Sequence, residues 1–479
     1  MEFGETFETV AIREVSEELG IEIHNPHVLG VTNNFFPNEN KHSVLPWVAI
    51  VFTVLAAASL IVSPDGSYYQ VYLMDSMRRL FTLTILFCLF LGIGGVQWTL
   101  AREKFQGGEA YGLLLLASAG AILMALSTNF LSLFLGMELA AFPVYALVGI
   151  RRKDMNGNEG VFKYFVTGAI FSAIFLYGVS LLYGATGSTQ FASEILGGRL
   201  PLFRVGVFLV LIGLFFKAGA APAHFWVADV YTGAPVAVTA FMAAVVKVGA
   251  LAAIASLWVN ISSDQTIKLV VAIVALASML IGAFSGLAQK SVRRILAFSA
   301  VMNAGFMLCA LFLHKEGSNE FFGGALQFFL VTYAVASAGA LTGIAYLSGK
   351  NDKRETLCGL RGRARKSPAV GVSIAVCLAS LAGLPPAAGF LAKFSLFTGM
   401  FKEGYGALAS AAFVLSLVAA VYYLRIAYVL FAPACSKSEC CCCCKEKPPV
   451  SASWILKAGI AIAAIAMLVL SVKPDWVCF

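Results

Sequence analysis

Charge is scarce in this 479-residue chain: Asp, Glu, Lys and Arg together make up 13% of it, against roughly 25% in soluble globular proteins. A chain so poor in charge cannot turn most of its surface to water. Zinc and iron–sulfur spacings are missing as well. The chain has 11 cysteines, yet no C-x2-C pair recurs at zinc or iron–sulfur spacing. Five of them form a run, Cys440 to Cys444, which reads as an incidental low-complexity loop on the reducing side. No glycine fingerprint of the dinucleotide-binding type follows a strand. No metal site or bound cofactor is therefore expected in the membrane part of the chain. The N-terminus lacks the basic and apolar regions of a signal peptide.

Apolar residues are abundant. They make up 59% of the chain, and the mean hydropathy is +0.83. Apolar stretches of helical period recur, so a membrane barrel is excluded. About 13 of them are long enough for ~30 Å of hydrocarbon: 44–62, 79–98, 110–126, 129–149, 161–183, 203–221, 233–259, 267–288, 295–313, 322–348, 368–401, 407–431 and 452–472. The composition changes near Ser43. We expect a polar segment, 1–43, and an all-α polytopic membrane domain, 44–479. Two regions carry Pro and Gly inside apolar sequence. One holds Lys217, Pro222 and Pro235; the other holds Pro385, Pro386 and Lys393. Paired interruptions of this kind point to broken helices around an ion path.

Net charge is +8. If the spans alternate, one set of loops holds Arg102, Arg151, Arg152, Arg293, Arg294 and the basic stretch 361–366. The opposite set holds far fewer Lys and Arg, among them Arg78, Arg79, Lys268 and Lys402. The richer side is expected to be cytoplasmic. That places the N-terminus in the cytoplasm and the C-terminus in the periplasm. The positive balance reflects these loops, and nucleic acid is not expected as a partner.

Four charges fall at membrane depth: Glu138, Lys217, Lys247 and Lys393. Each costs about 2.5–3.5 kcal/mol on insertion scales. Low dielectric favours the neutral amine, and a nearby carboxylate opposes it. A Glu–Lys pair coupled to further lysines can therefore switch protonation. Three lysines against one glutamate suit groups that are sometimes neutral. His224 follows a helix-interrupting proline and sits seven residues after Lys217; imidazole can relay protons near neutral pH. Arg425 lies near the end of its span, can snorkel, and reads as structural.

The segments FLSLFLGMELAAFPVYALVG, GLFFKAGAAPAHFWVADVYTGAP, AAVVKVGAL, QKSVRRILAFSA and SLAGLPPAAGFLAKFSLF resemble antiporter-like subunit N of the proton-translocating NADH-quinone oxidoreductase, respiratory complex I. The resemblance runs from about Val44 to the C-terminus. It implies two inverted repeats of five helices with two broken helices, and proton conduction in an inner (plasma) membrane. It puts the essential glutamate on Glu138, the buried lysines on Lys217, Lys247 and Lys393, and the loop histidine on His224. NAD, FMN, iron–sulfur clusters and quinone are implied for partner subunits. The expected partners are the other membrane and peripheral subunits, the lipid bilayer and protons. A cation/proton antiporter of the same superfamily is the alternative. Ala228 stands where the family usually has proline, and Asn303 where it usually has histidine. Asparagine carries no proton at neutral pH, so the link between the two half-channels is open to question. A counterpart of the family's first helix is missing, and 44–62 resembles its second.

Before Val44, EFGETFETVAIREVSEELGIEI is similar to the Nudix hydrolase box. Glu14, Glu17 and Glu18 fall on one helical face and suit Mg²⁺. The box's first glycine would precede Met1, and some forty residues cannot easily bury a core. An inert remnant is expected, and a nucleotide hydrolase with a membrane anchor is the remote alternative.

Overall fold

The computed structural model describes residues 41–103, 107–191, 195–196, 199–314, 324–349, 352, 355–433 and 454–474. The chain divides into two units, Met1–Leu45 and Pro46–Phe479. Glu14, Glu17 and Glu18 lie outside the described residues, as does the cysteine run.

Helix α1 (Lys41–Val62) is followed by a short antiparallel hairpin of β1 (Gly66–Tyr68) and β2 (Tyr72–Met74), with Gly66 opposite Met74. The helices that follow are α2 (Ser76–Glu103), α3 (Glu109–Leu126), α4 (Phe130–Val148), α5 (Met155–Thr186), α6 (Leu200–Ala218), α7 (Phe225–Gly233), α8 (Val236–Ile261), α9 (Gln265–Leu287), α10 (Val292–Leu313), α11 (Ala325–Leu347), α12 (Pro368–Ala382), α13 (Ala388–Lys402), α14 (Gly406–Phe431) and α15 (Trp454–Val472). Among the described residues, 11 helices are long and apolar enough to cross a membrane: α1 to α6, α8 to α11, and α14. The apolar helices Pro368–Ala382 and Leu456–Val472 are shorter. The stretch 368–401, counted as one candidate span with an expected break, is two helices, α12 and α13. Gly383 at φ +78 followed by Pro385 and Pro386 cannot continue a helix.

Polar residues start the helices where the hydropathy falls. Asn129, Asp154 and Asp264 accept backbone N–H bonds at the starts of α4, α5 and α9. Each replaces a bond that the first turn cannot make internally. Packing then selects the neighbours. A Cβ on Gly120 would lie 2.3 Å from the backbone of Ala140, so only glycine lets α3 and α4 approach this closely. Gly282 plays the same part between α9 and α10, where a Cβ would meet Met302 at 2.5 Å. Small residues at such contacts are the usual means of close packing between apolar helices.

Two five-helix sets follow one order: three long helices, a broken pair, and another long helix. The first set is α3 to α8, with α6 and α7 as the broken pair; the second is α9 to α14, broken between α12 and α13. Their directions oppose each other. Helix α3 starts from the end of the bundle where Arg102 and Val236 both bond Asp352, whereas α9 starts from the other end. Helix α11 is wholly buried and α8 nearly so, while α1 is largely exposed.

Candidate functional site

Each broken helix ends in the same way. Helix α6 closes at Gly219 (φ +69), and Pro222 follows three residues later; α12 closes at Gly383 (φ +78), and Pro386 follows three residues later. In both linkers the break leaves polar backbone inside the bundle, where it must find partners. Ser278 of α9 accepts the Ala221 N–H at 2.8 Å, and Ser380 accepts the Gly389 N–H at 3.0 Å.

A lysine amine approaches each break. Lys393 Nζ donates to the carbonyls of Leu381 (2.9 Å) and Ala382 (3.3 Å), the orphan acceptors at the end of α12. The Phe306 ring lies 5.4 Å from the same nitrogen. Lys247 Nζ reaches the end of α6: a Cβ on Gly219 would lie 3.5 Å from it. Lys247 also donates to the Ala300 carbonyl of α10 at 2.6 Å. It follows directly on a π-helical turn, Met242–Val246, and such turns often mark functional positions.

Lys217 differs from the other two. It sits in the last turn of α6, and its Nζ is buried without a hydrogen-bond partner. Tyr145 and Phe216 present their rings at 6.0 and 5.9 Å. Tyr164 stacks on Trp226 at 4.3 Å and meets Tyr145 edge-on, so the aromatic wall is rigid. Glu138 of α4 is within Coulombic range of Lys217 but forms no direct ion pair with it. Its carboxylate accepts a hydrogen bond from Ser172 of α5 instead. The two side chains therefore interact through space. All three lysines are at most 4% exposed, so none snorkels to water.

His224 is half-buried at the start of α7. No hydrogen bond or ion pair joins it to Lys217, Glu138 or Asp229. Asp229 pairs with Lys163 at 2.8 Å. Arg425 is exposed on α14, away from the buried set.

The structure adds residues that the sequence pattern did not single out. Tyr423 of α14 and Ser299 of α10 share a hydrogen bond. Asn303 donates to Tyr423 Oη at 3.1 Å and to the Ser299 carbonyl at 2.8 Å. A cavity of about 10 Å³, lined by Asn303, Thr332, Tyr333, Ser380 and Lys393, separates this group from the second break. At the basic end of the bundle, Asp352 is 1% exposed. It binds Arg151 (2.7 Å), Arg102 (3.2 Å), Ser348 (2.7 Å) and the Val236 N–H (3.1 Å). Burial opposes its ionisation, but Arg151, Arg293 and Arg102 outweigh that and hold its carboxyl below the usual carboxylate range. It sits in the polar run SGKNDKRET, which looks like an ordinary surface loop.

Comparison with known proteins agrees with this architecture. The family described as NADH:quinone oxidoreductase/Mrp antiporter, TM matches residues 127–419, and a NUDIX domain match covers residues 1–71. NADH-quinone oxidoreductase subunit N 2 of Rhizobium meliloti is 34% identical over 82% of this chain and 83% of that protein. NADH-quinone oxidoreductase subunit 14 of Thermus thermophilus is 36% identical over 86% of this chain and 89% of that protein. A chain of respiratory complex I from Thermus thermophilus superposes with a TM-score of 0.78 at 32% identity, covering 91% of this chain and 93% of that one. A chain of the Mrp complex from Dietzia shares the fold at the same TM-score of 0.78 and 22% identity, over 92% and 91%. The described helices make this an integral membrane protein, and the chain belongs to the NADH:quinone oxidoreductase/Mrp antiporter transmembrane family, among its subunit N members.

Proposed function

We propose that this chain conducts protons across the membrane as a subunit of an NADH-quinone oxidoreductase. The observation that carries the reading is the repeated device of a buried lysine amine set against the end of each broken helix. Glu138 and Lys217 form the switching pair, Lys247 passes the proton towards α10, and Lys393 receives it in the second repeat. His224, at the start of α7, is the group closest in sequence to the first break that can exchange protons near neutral pH. Oxidation of NADH and reduction of quinone belong to partner subunits, which would hold the FMN and iron–sulfur clusters. The membrane domain comprises residues 44–479, and residues 1–43 precede it as a separate segment. Mild-detergent purification is expected to bring down partner subunits identifiable by mass spectrometry. Inverted vesicles carrying the complex should acidify when given NADH. Cation–proton exchange with neither partners nor NADH would favour the antiporter reading instead.

The basic end of the bundle faces the cytoplasm of a cell whose inner membrane holds the protein. The N-terminus then lies in the cytoplasm and the C-terminus in the periplasm. The side is tested at an exposed position. A Lys153→Cys variant is expected to react with an impermeant thiol reagent in inverted vesicles and not in intact cells. Reaction in intact cells would reverse the orientation.

The N-terminal segment is catalytically silent in this reading. The NUDIX match extends to residue 71, yet residues 41–62 of it form α1, whose Val44–Val62 window has a mean hydropathy of 2.4. An apolar helix with most of its surface exposed cannot serve as part of a water-soluble hydrolase core. Deleting residues 2–40 should leave assembly and pumping unchanged. Purified protein with Mg²⁺ should not turn over nucleoside diphosphate derivatives. Turnover that disappears in a Glu17→Gln, Glu18→Gln double variant would establish the segment as a hydrolase.

A further inference from the structure

We propose that the hydroxyl of Tyr423 carries the proton between the two repeats, at the point where Asn303 offers only an amide. The inference deepens the proton-conducting reading and rests on it. Lys247 is anchored on Ala300, next in sequence to Ser299. Ser299 is hydrogen-bonded to Tyr423. Asn303, one turn along the same face of α10, donates to Tyr423 Oη at 3.1 Å and lines the cavity that Lys393 also lines. Between the two lysines, then, α10 and α14 contribute two hydroxyls and one amide, all buried.

The amide cannot be the carrier. Its NH₂ only donates, and it neither gains nor loses a proton at neutral pH. A hydroxyl both accepts and donates, so it can take one proton while releasing another. Asn303 therefore positions: by donating to Oη it occupies one lone pair and fixes the direction of the phenol. The cavity beyond Asn303 is about 10 Å³, near the least volume that admits one water. Its wall includes Thr332, Ser380 and Tyr333, whose hydroxyl is buried without a hydrogen-bond partner. Phe329 and Leu381 complete the wall, and beside them the hydroxyls of Thr332, Tyr333 and Ser380 and the Lys393 amine give a single bridging water its partners.

The step balances without any charged hydroxyl. Tyr423 Oη accepts a proton from Ser299 Oγ as Ser299 is reprotonated from the Lys247 side. Tyr423, which meets the cavity only across Asn303, releases its own proton towards it, and a water held there protonates the neutral amine of Lys393. The O–H bonds then rotate back, and one proton has moved from the first repeat to the second.

The test uses the assembled complex in inverted vesicles, with NADH oxidation and vesicle acidification measured on the same preparation. Tyr423→Phe keeps the ring and removes the hydroxyl. Pumping per NADH oxidised is expected to fall roughly tenfold or more, the scale of losing a positioned proton carrier. The Tyr423→Phe, Asn303→His double variant places an imidazole that carries protons itself, and it should recover pumping. A purely structural role for Tyr423 predicts no such rescue. Undiminished pumping in Tyr423→Phe overturns the relay. So does a double variant no better than Tyr423→Phe when Asn303→His alone pumps normally. Lys217→Ala run in parallel separates the two levels. If it stops pumping while Tyr423→Phe does not, the relay alone fails; if neither variant matters, the proton-conducting reading fails with it.

Discussion

Lys217→Ala and Glu138→Ala are each expected to suppress proton pumping, by roughly tenfold or more, in complexes that still assemble. Lys217 has no oxygen partner for its ammonium. Its surroundings are the Tyr145 and Phe216 rings, with the Glu138 carboxylate within Coulombic range. Cation–π contacts supply about 0.5–2 kcal/mol, too little to replace solvation of a buried ammonium. In the proposed mechanism Lys217 and Glu138 act as one switch, and removing either side chain removes it. Assembly should survive, because neither group makes a strong local ion pair that the fold needs. Lys217→Arg should fail almost as completely as alanine: guanidinium keeps its proton throughout the accessible pH range. Glu138→Gln separates charge from shape, since it retains an acceptor for Ser172. It should lose pumping as Glu138→Ala does. Normal pumping by an assembled Glu138→Ala complex would remove the pair from the mechanism.

Asp352→Ala is expected to have the largest effect on stability. The carboxylate is the common partner of Arg102 and Arg151, near Arg293, and it also caps the start of α8 through the Val236 N–H. Removing one partner from a buried ionic group costs about 3–5 kcal/mol. The variant should show lower membrane abundance and a lower Tm in detergent. Backbone effects need a control, because Asp352 lies at φ +52. Asparagine tolerates that conformation as aspartate does, so Asp352→Asn isolates the charge and should still be clearly destabilised. The pH dependence follows in sign. Asp352 has its carboxyl held below the ordinary range, so its stabilisation is present above the unfolded value, about 3.9. It is lost only as pH falls through the lower folded value. A variant lacking the carboxylate should lose that acid-sensitive component. An unchanged Tm in Asp352→Ala would show that Glu103, which pairs with Arg151, and Glu355, which pairs with Arg293, suffice to neutralise the arginines.

Several parts of this arrangement were legible one residue at a time. Lys217, Lys247 and Lys393 stood out because a charge inside twenty apolar residues has no cheap explanation. Pro222 and the pair Pro385 and Pro386 announced breaks, because proline lacks the N–H and restricts the residue before it. Other parts had no local signal. Tyr423 follows Tyr422 in an apolar run, and only the packing of α14 on α10 decides which of the two hydroxyls meets Ser299 and Asn303. Asp352 reads as a solvated loop residue until α2, α4, α8 and α10 bring their ends around it. The relation of Glu138 to Lys217 is a further case. Sequence puts both at membrane depth, but the rotamer of Glu138 and the position of Ser172 decide that they act through space.

The sequence by itself determined that the chain lies in a membrane, where its helices break, and which ionisable groups are buried. These follow from hydropathy, from proline and glycine backbone chemistry, and from the cost of a buried charge, all of which are local. Tertiary structure alone decided what those groups face. Which carbonyl receives Lys393, which ring flanks Lys217 and which hydroxyl touches Asn303 depend on contacts between helices far apart in the chain. Apolar periodicity leaves those contacts unspecified, because lipid and a neighbouring helix are equally apolar surroundings for a leucine.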